Sequence, residues 1–245
     1  MEVSVINEEL KEKFKKYVNS FDINDEAIKR KYFHSLRVMD IAHNISEDNK
    51  FSETDIEVVT VAALLHDYGR FHQWTKYKTY DDLKSVDHAD LSVDILFDNE
   101  IKNFYTKEDN YKVIYNAIKY HNKYNFPKLE MRDKLICDVI RDADKLDILY
   151  LLSLKELVFD EKDKISEEVY TSFYNKELVD RKYIKNNLDY LILYLAFIFD
   201  LKFDYSFKYI KENKLVDKIF NNIDDKNEYK QYFDFINNYI EERID

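Results

Sequence analysis

Apolar residues recur along this chain at intervals of three and four, the spacing that gathers side chains on one face of an α-helix. A first helix is predicted over Glu8–Val18. Asn24 then supplies an N-cap residue for a second helix reaching about Glu47, in which Val38, Ile41 and Ile45 share a stripe. A capping-box pattern from Ser52 to Asp55 opens the run IEVVTVAALLH, which is apolar on every side and is expected deep in the interior. Gly69 is expected to end that helix. Phe71–Leu83 reads as a polar connecting stretch rich in Trp, Tyr and Lys. Ser85 is placed to cap a helix through Phe97, Thr106 with Asp109 to cap another ending near His121, and Pro127 marks a loop. A long helix is predicted over Leu129–Phe159, carrying the acidic cluster DADKLD. The charged, weakly periodic segment Asp160–Asn187 reads as a linker or mobile insertion. Apolar runs at Leu188–Phe203, Tyr205–Ile210, Leu215–Ile223 and Tyr229–Ile240 predict three or four further helices.

Composition sharpens this to an all-α fold. The 245 residues hold one Gly and one Pro, where ordinary usage gives about 7% and about 5%, so tight turns and hairpins lack their usual residues. The expected organisation is a helical core over residues 1–159 and a helical C-terminal extension over 160–245 packed on it. A net charge of -11 argues against nonspecific nucleic-acid binding. A single cysteine, Cys137, forms no internal disulfide, and the charged N-terminal stretch MEVSVINEELKEKF lacks the apolar core of a signal peptide; a cytoplasmic protein is expected. The longest apolar run, Leu191–Phe199, falls short of the roughly 20 residues that cross a bilayer, so no membrane partner is expected.

The chemistry is suggested by polar residues on apolar stripes, where a side chain must find a partner or cost stability. His34 lies in line with Val38, Ile41 and Ile45, His88 with Leu91 and Ile95, and His121 with Ile114, Ala117 and Ile118. Asp144 is four residues from Ile140 and Ile148 and seven from Cys137 and Leu151, while His66 and Asp67 end the most apolar helix. Buried acids amid inward histidines are costly unless a divalent cation reconciles them, and imidazole nitrogen with carboxylate oxygen suits several transition metals. For His43 an ordinary hydrogen bond is the expected role, for His72 a solvated loop. Asp142 and Asp147 are expected to be exposed or supporting acids.

The motifs YFHSLRV, AALLHDYGRF and RDADKLD resemble the HD superfamily, whose members supply a metal from the order His, His-Asp, Asp along a helical bundle. The resemblance spans roughly Lys31 to Tyr150, and KSVDHADLSVDIL with IKYHN looks like the extra histidine pair of members that hold two metals. It implies His34, His66, Asp67 and Asp144 as ligands of a first ion; Asp144 is preferred to Asp142 because the family's last ligand commonly precedes a basic or small residue, and helical periodicity agrees. His88 and His121 would hold a second ion bridged by Asp67, or, with one ion, would contact phosphate or position water. The cofactor is then one or two divalent ions among Mn, Fe, Co, Ni, Zn and Mg.

The activity so implied is hydrolysis of a phosphate ester by metal-activated water. The substrate is a small phosphorylated compound, with nucleotides among the candidates. Lys145, Arg70, Arg37 and Lys84 are the cations expected to meet phosphate, Lys145 and Arg70 the better placed, while Phe71, Trp74, Tyr77 and Tyr80 either wall a nucleobase pocket or pack internally. Two alternatives keep the same residues: a diiron oxygenase, and a nucleotide-sensing module without turnover. The sequence leaves a homo-oligomer open.

Overall fold

The computed structural model describes residues 2–125, 127–160, 162–224 and 226–244. Among these residues the secondary structure is twelve α-helices joined by short 3-10 turns, a π turn (Leu96–Glu100) and loops; the sole extended pairing is an isolated bridge between Leu157 and Ile223, so the fold is all-α. Two compact units divide the chain, residues 1–143 and 144–245. The division runs through a single helix rather than through the Asp160–Asn187 segment, where the composition changes.

The first unit contains α1 (Glu2–Val18), α2 (Glu26–Asp48), α3 (Glu53–Leu65), α4 (Tyr68–Tyr77), α5 (His88–Ile95), α6 (Tyr111–Tyr120) and the first part of α7 (Met131–Leu152). Asp25, not Asn24, caps α2, its carboxylate accepting from the Ala27 amide at 2.9 Å. Ser52 caps α3 as expected: its hydroxyl accepts from the Asp55 amide at 3.2 Å and donates to the Asp55 carboxylate at 2.9 Å. Every residue of α3 from Val58 to Leu65 is buried, and the helix packs against α1, α2 and α6. An apolar surface on all sides therefore makes α3 the central element of this unit.

Several boundaries differ from the sequence reading, each for a local reason. Gly69 does not terminate α3, which ends at Leu65; it lies in the first turn of α4 with an ordinary helical backbone. What it supplies is space, because a Cβ there would sit 2.8 Å from the Ser92 nitrogen and 2.9 Å from the His88 carbonyl oxygen. The stretch Phe71–Leu83 is helical as far as Tyr77, with Tyr68, Gly69, Arg70, Phe71 and Gln73 buried. Asp87 rather than Ser85 caps α5, accepting from the Ala89 and Asp90 amides, so that His88 is the first residue of the helix. Asn110 precedes α6 after a 3-10 turn, without the side-chain cap expected from Thr106 and Asp109. The long helix α7 starts at Met131 and stops at Leu152, short of Phe159.

In the second unit, the segment expected as a linker folds. It contains α8 (Glu167–Tyr174), which buries Val169 and Phe173. The fully buried Asp189 carboxylate accepts from the Ser166 amide and hydroxyl and from the Lys185 amide, which ties both ends of this segment to α9 (Asn187–Ala196). Phe173 also meets Phe199, Tyr232 and Phe235 edge-on or tilted. Its weak periodicity reflects two short elements held by a polar anchor rather than a solvated strip. α10 (Asp204–Glu212), α11 (Leu215–Asn221) and α12 (Lys230–Ile244) pack on one another. Among the described residues no helix is long and apolar enough to cross a membrane.

Candidate metal centre

Four helices of the first unit converge their histidines on Asp67. His34 projects from the middle of α2, His66 caps the C-terminus of α3, His88 opens α5 and His121 caps the C-terminus of α6; all four are nearly inaccessible, as is Asp67 between α3 and α4. The space that Gly69 leaves lets α5 approach α4, and the Gly69 amide donates to the Ser92 hydroxyl at 2.7 Å. His88 is thereby carried up to the carboxylate.

The two oxygens of Asp67 face different imidazoles. Its Oδ2 lies 3.3 Å from His34 Nε2 and 3.5 Å from His66 Nε2, while Oδ1 lies 3.4 Å from His88 Nε2. Within each pair the rings are close: His34 and His66 bring their Nε2 atoms to 3.2 Å, His88 and His121 to 3.1 Å. His121 joins His66 and Asp67 in a set whose ligand atoms all lie within 4.8 Å of one another.

The outer nitrogens fix how each ring is turned. His66 Nδ1 is 2.7 Å from the Ala63 carbonyl oxygen and His121 Nδ1 is 2.7 Å from that of Ile118. Carbonyls only accept, so each ring donates from Nδ1 and also satisfies an otherwise orphaned carbonyl at a helix end. His88 Nδ1 is 2.6 Å from Asp82 Oδ2, which is likewise an acceptor. With Nδ1 engaged outward, all three rings turn Nε2 inward, and the Nε2 atoms of His88 and His121 lie 3.1 Å apart. Imidazole nitrogens whose outer atoms are held by carbonyl or carboxylate partners are the donor arrangement that suits a divalent metal.

Charge favours the ligand forms. Burial pushes the Asp67 carboxyl up, but Lys31, the neighbouring His66 and His34 and the Arg70 guanidinium together hold it well below the usual carboxylate range. For His88, burial first and the Arg70 charge second lower the imidazole below its ordinary value, against the opposing pull of Asp82 and Asp67. Its place at a helix N-terminus works in the same direction, because the dipole there disfavours added positive charge.

The remaining residues singled out in the sequence differ in burial and in their partners. Arg70 is buried: its NH1 donates to the Gln73 side chain, the Tyr80 carbonyl and Asp82 Oδ1, each at 2.7 Å, and its Nε lies 3.4 Å from Asp67 Oδ1. Lys84 is exposed on a 3-10 turn and pairs with Asp81 at 3.3 Å, a surface ion pair. Arg37 is half-buried on α2. Asp144 lies on α7, one turn after the fully buried Ile140 and two after Cys137. Lys145, next to it, is buried and donates to Asp200 Oδ2 at 2.6 Å within the second unit. Asp142 and Asp147 are fully buried rather than exposed, since α7 is covered on most sides between Ile136 and Leu149. His43 takes the hydrogen-bonding role expected, near Thr60 and Glu47. His72 is exposed but stands on α4, its ring edge-on to Phe21. Phe71 belongs to the core with Phe14, Tyr17 and Phe21, and Trp74 and Tyr80 bond to Asp25 and the Ala27 carbonyl; these three serve packing.

Three participants escaped the sequence reading. Lys31 places its ammonium 2.6 Å from Asp67 Oδ2 and over the Tyr80 ring. It lies one turn before His34 on the same stripe, a signal that could have found it. Arg141, a buried cation on α7, donates to the carbonyls of His121 and Lys123 at 3.0 and 2.8 Å and so anchors the end of α6; its position one residue after Ile140 was a weaker hint. Asp82 sits in a turn without periodicity, where nothing local distinguishes it from its neighbour Asp81.

Residues 32–149 match the HD domain family. No curated protein and no solved structure matches the chain significantly. The matched stretch runs from just before His34 to just past the DADKLD cluster, taking in most of α2, α3 to α6 and most of α7. Residues 32–149 are thus an HD domain.

Proposed function

We propose that this protein is a metal-dependent phosphohydrolase that cuts a small phosphate ester at a two-ion centre bridged by Asp67. The observation that carries the reading is the pairing of Asp67 Oδ2 with His34 and His66 and of Oδ1 with His88. One carboxylate facing two groups of inward imidazole nitrogens is what two neighbouring cations require. In this reading His34, His66, Asp67 and Asp144 hold the first ion, and His88 and His121, with Asp67 shared, hold the second. Asp144 is preferred to Asp142 as the first ion's remaining ligand because it stands one turn from Ile140 and two from Cys137 on α7. HD-domain proteins are commonly metal-dependent hydrolases, which supports the reaction class.

Divalent ions held there would supply a water acidified to near neutrality and would neutralise phosphate charge. The chain's own residues do the rest. Asp67 orients both halves and is kept ionised by Lys31 and Arg70. Lys31, with a side chain 18% exposed, is the cation placed to meet a phosphate oxygen, with Lys145 and Arg37 as further candidates. Arg70 braces the site through the bonds of its NH1 to Gln73, the Tyr80 carbonyl and Asp82.

Asp67→Ala is expected to lose bound metal and phosphate release together, measured by elemental analysis and by a substrate panel that includes nucleotides and phosphomonoesters. Retention of both at wild-type level would overturn the assignment. Oxygen consumption by the iron-loaded protein with no phosphate release from any compound would replace this reading with an oxygenase.

A further inference from the structure

We propose that Asp82 is the positioning residue of the His88 and His121 half of the centre, acting through the imidazole of His88. This rests on His88 being a metal ligand, but the structural reason for it is independent of any ion. His66 and His121 end their helices, where carbonyls of the preceding turn are free to receive an Nδ1–H. His88 begins its helix, and a helix N-terminus offers amide donors instead of carbonyls. The acceptor that fixes its tautomer must come from a side chain.

Asp82 supplies it from a 3-10 turn (Asp82–Lys84) that is itself capped by the Asp81 carboxylate. Its Oδ2 takes the His88 Nδ1–H at 2.6 Å. Its Oδ1 receives Arg70 at 2.7 Å and Gln73 at 3.0 Å. Gln73, fully buried, also donates to the Ser85 hydroxyl and the Val86 carbonyl, which secures the connection leading into α5. Both carboxylate oxygens are therefore needed as acceptors. An amide at this position must turn its NH2 either toward the His88 N–H or toward two cationic and amide donors, so Asp82→Asn breaks the arrangement while preserving shape.

The test combines metal-free protein with cobalt titration. Long-range proton–nitrogen NMR of histidine-labelled, metal-free protein is expected to show His88 protonated at Nδ1 in the wild type. In Asp82→Asn and Asp82→Ala it should move to Nε2 or a mixture, with His66 and His121 unchanged. In the titration the variants should bind the second cobalt about 10- to 100-fold more weakly and the first unchanged, with partial recovery in Asp82→Glu. An unaltered His88 tautomer in folded Asp82→Asn would overturn the proposal, as would equal loss of both cobalt ions. If the wild type binds a single cobalt, the two-ion reading of function fails, and the tautomer comparison alone decides the role of Asp82. Should Asp82→Ala lose its circular-dichroism signature, Asp82→Asn carries the comparison.

Discussion

Asp67 combines deep burial with four positively charged or hydrogen-bonding neighbours, and that combination keeps it ionised where an isolated carboxylate would take up a proton. Lys31 is the neighbour with a route to solvent, so it can lend charge to a bound phosphate. We expect Lys31→Met to lower kcat/KM by about 10- to 100-fold, the worth of a hydrogen bond to a charged group, while leaving metal content unchanged. Elemental analysis beside steady-state kinetics checks this, and parallel loss of metal would instead make Lys31 a support for the ligand set. The histidines on apolar stripes were legible because period alone separates an inward imidazole from a surface one. Asp82 was not, because its role depends on a loop folding back and no period runs through a loop. Arg70 was legible as important, but adjacency to the dyad could not show the bonds of its NH1 to Asp82, Gln73 and the Tyr80 carbonyl.

Between elements, the closest constraint is the contact of α4 with α5. Gly69 has helical dihedrals that any residue could adopt, so its use here is steric. Because the obstructing atoms are backbone, Gly69→Ala must push α5 away; it should destabilise the fold by about 1–3 kcal/mol and weaken the second metal site before the first. Denaturant unfolding and metal titration read the two effects, and an unchanged midpoint would show that α5 yields freely. Helix existence was largely visible in the sequence, whereas helix starts were not. Asn24 beside Asp25, and Ser85 two residues before Asp87, present equivalent capping chemistry, and only the path of the incoming chain selects between them. α8 was missed because eight residues with two buried side chains leave little periodic signal. Phe173→Ala is expected to cost about 3–5 kcal/mol, seen as a lowered unfolding midpoint; a change within about 0.5 kcal/mol would mark the segment as a linker after all.

At the scale of the whole molecule, the HD domain accounts for residues 32–149, and the helices beyond it have no counterpart in that match. A ligand set that gathers four helices and an interhelical carboxylate ties metal loading to folding, since an ion that binds only the native state stabilises it by about 2.7 kcal/mol at 100 times its dissociation constant. Chelation should therefore lower the melting temperature, and readdition of the ion should restore it. An unchanged melting curve would mean that the imidazoles are held by packing alone. The most direct test of the central claim is anomalous diffraction from manganese-loaded crystals. The account predicts two peaks flanking the Asp67 carboxylate, one beside His34 and His66 and one beside His88 and His121. A single peak, or none adjoining Asp67, would contradict it.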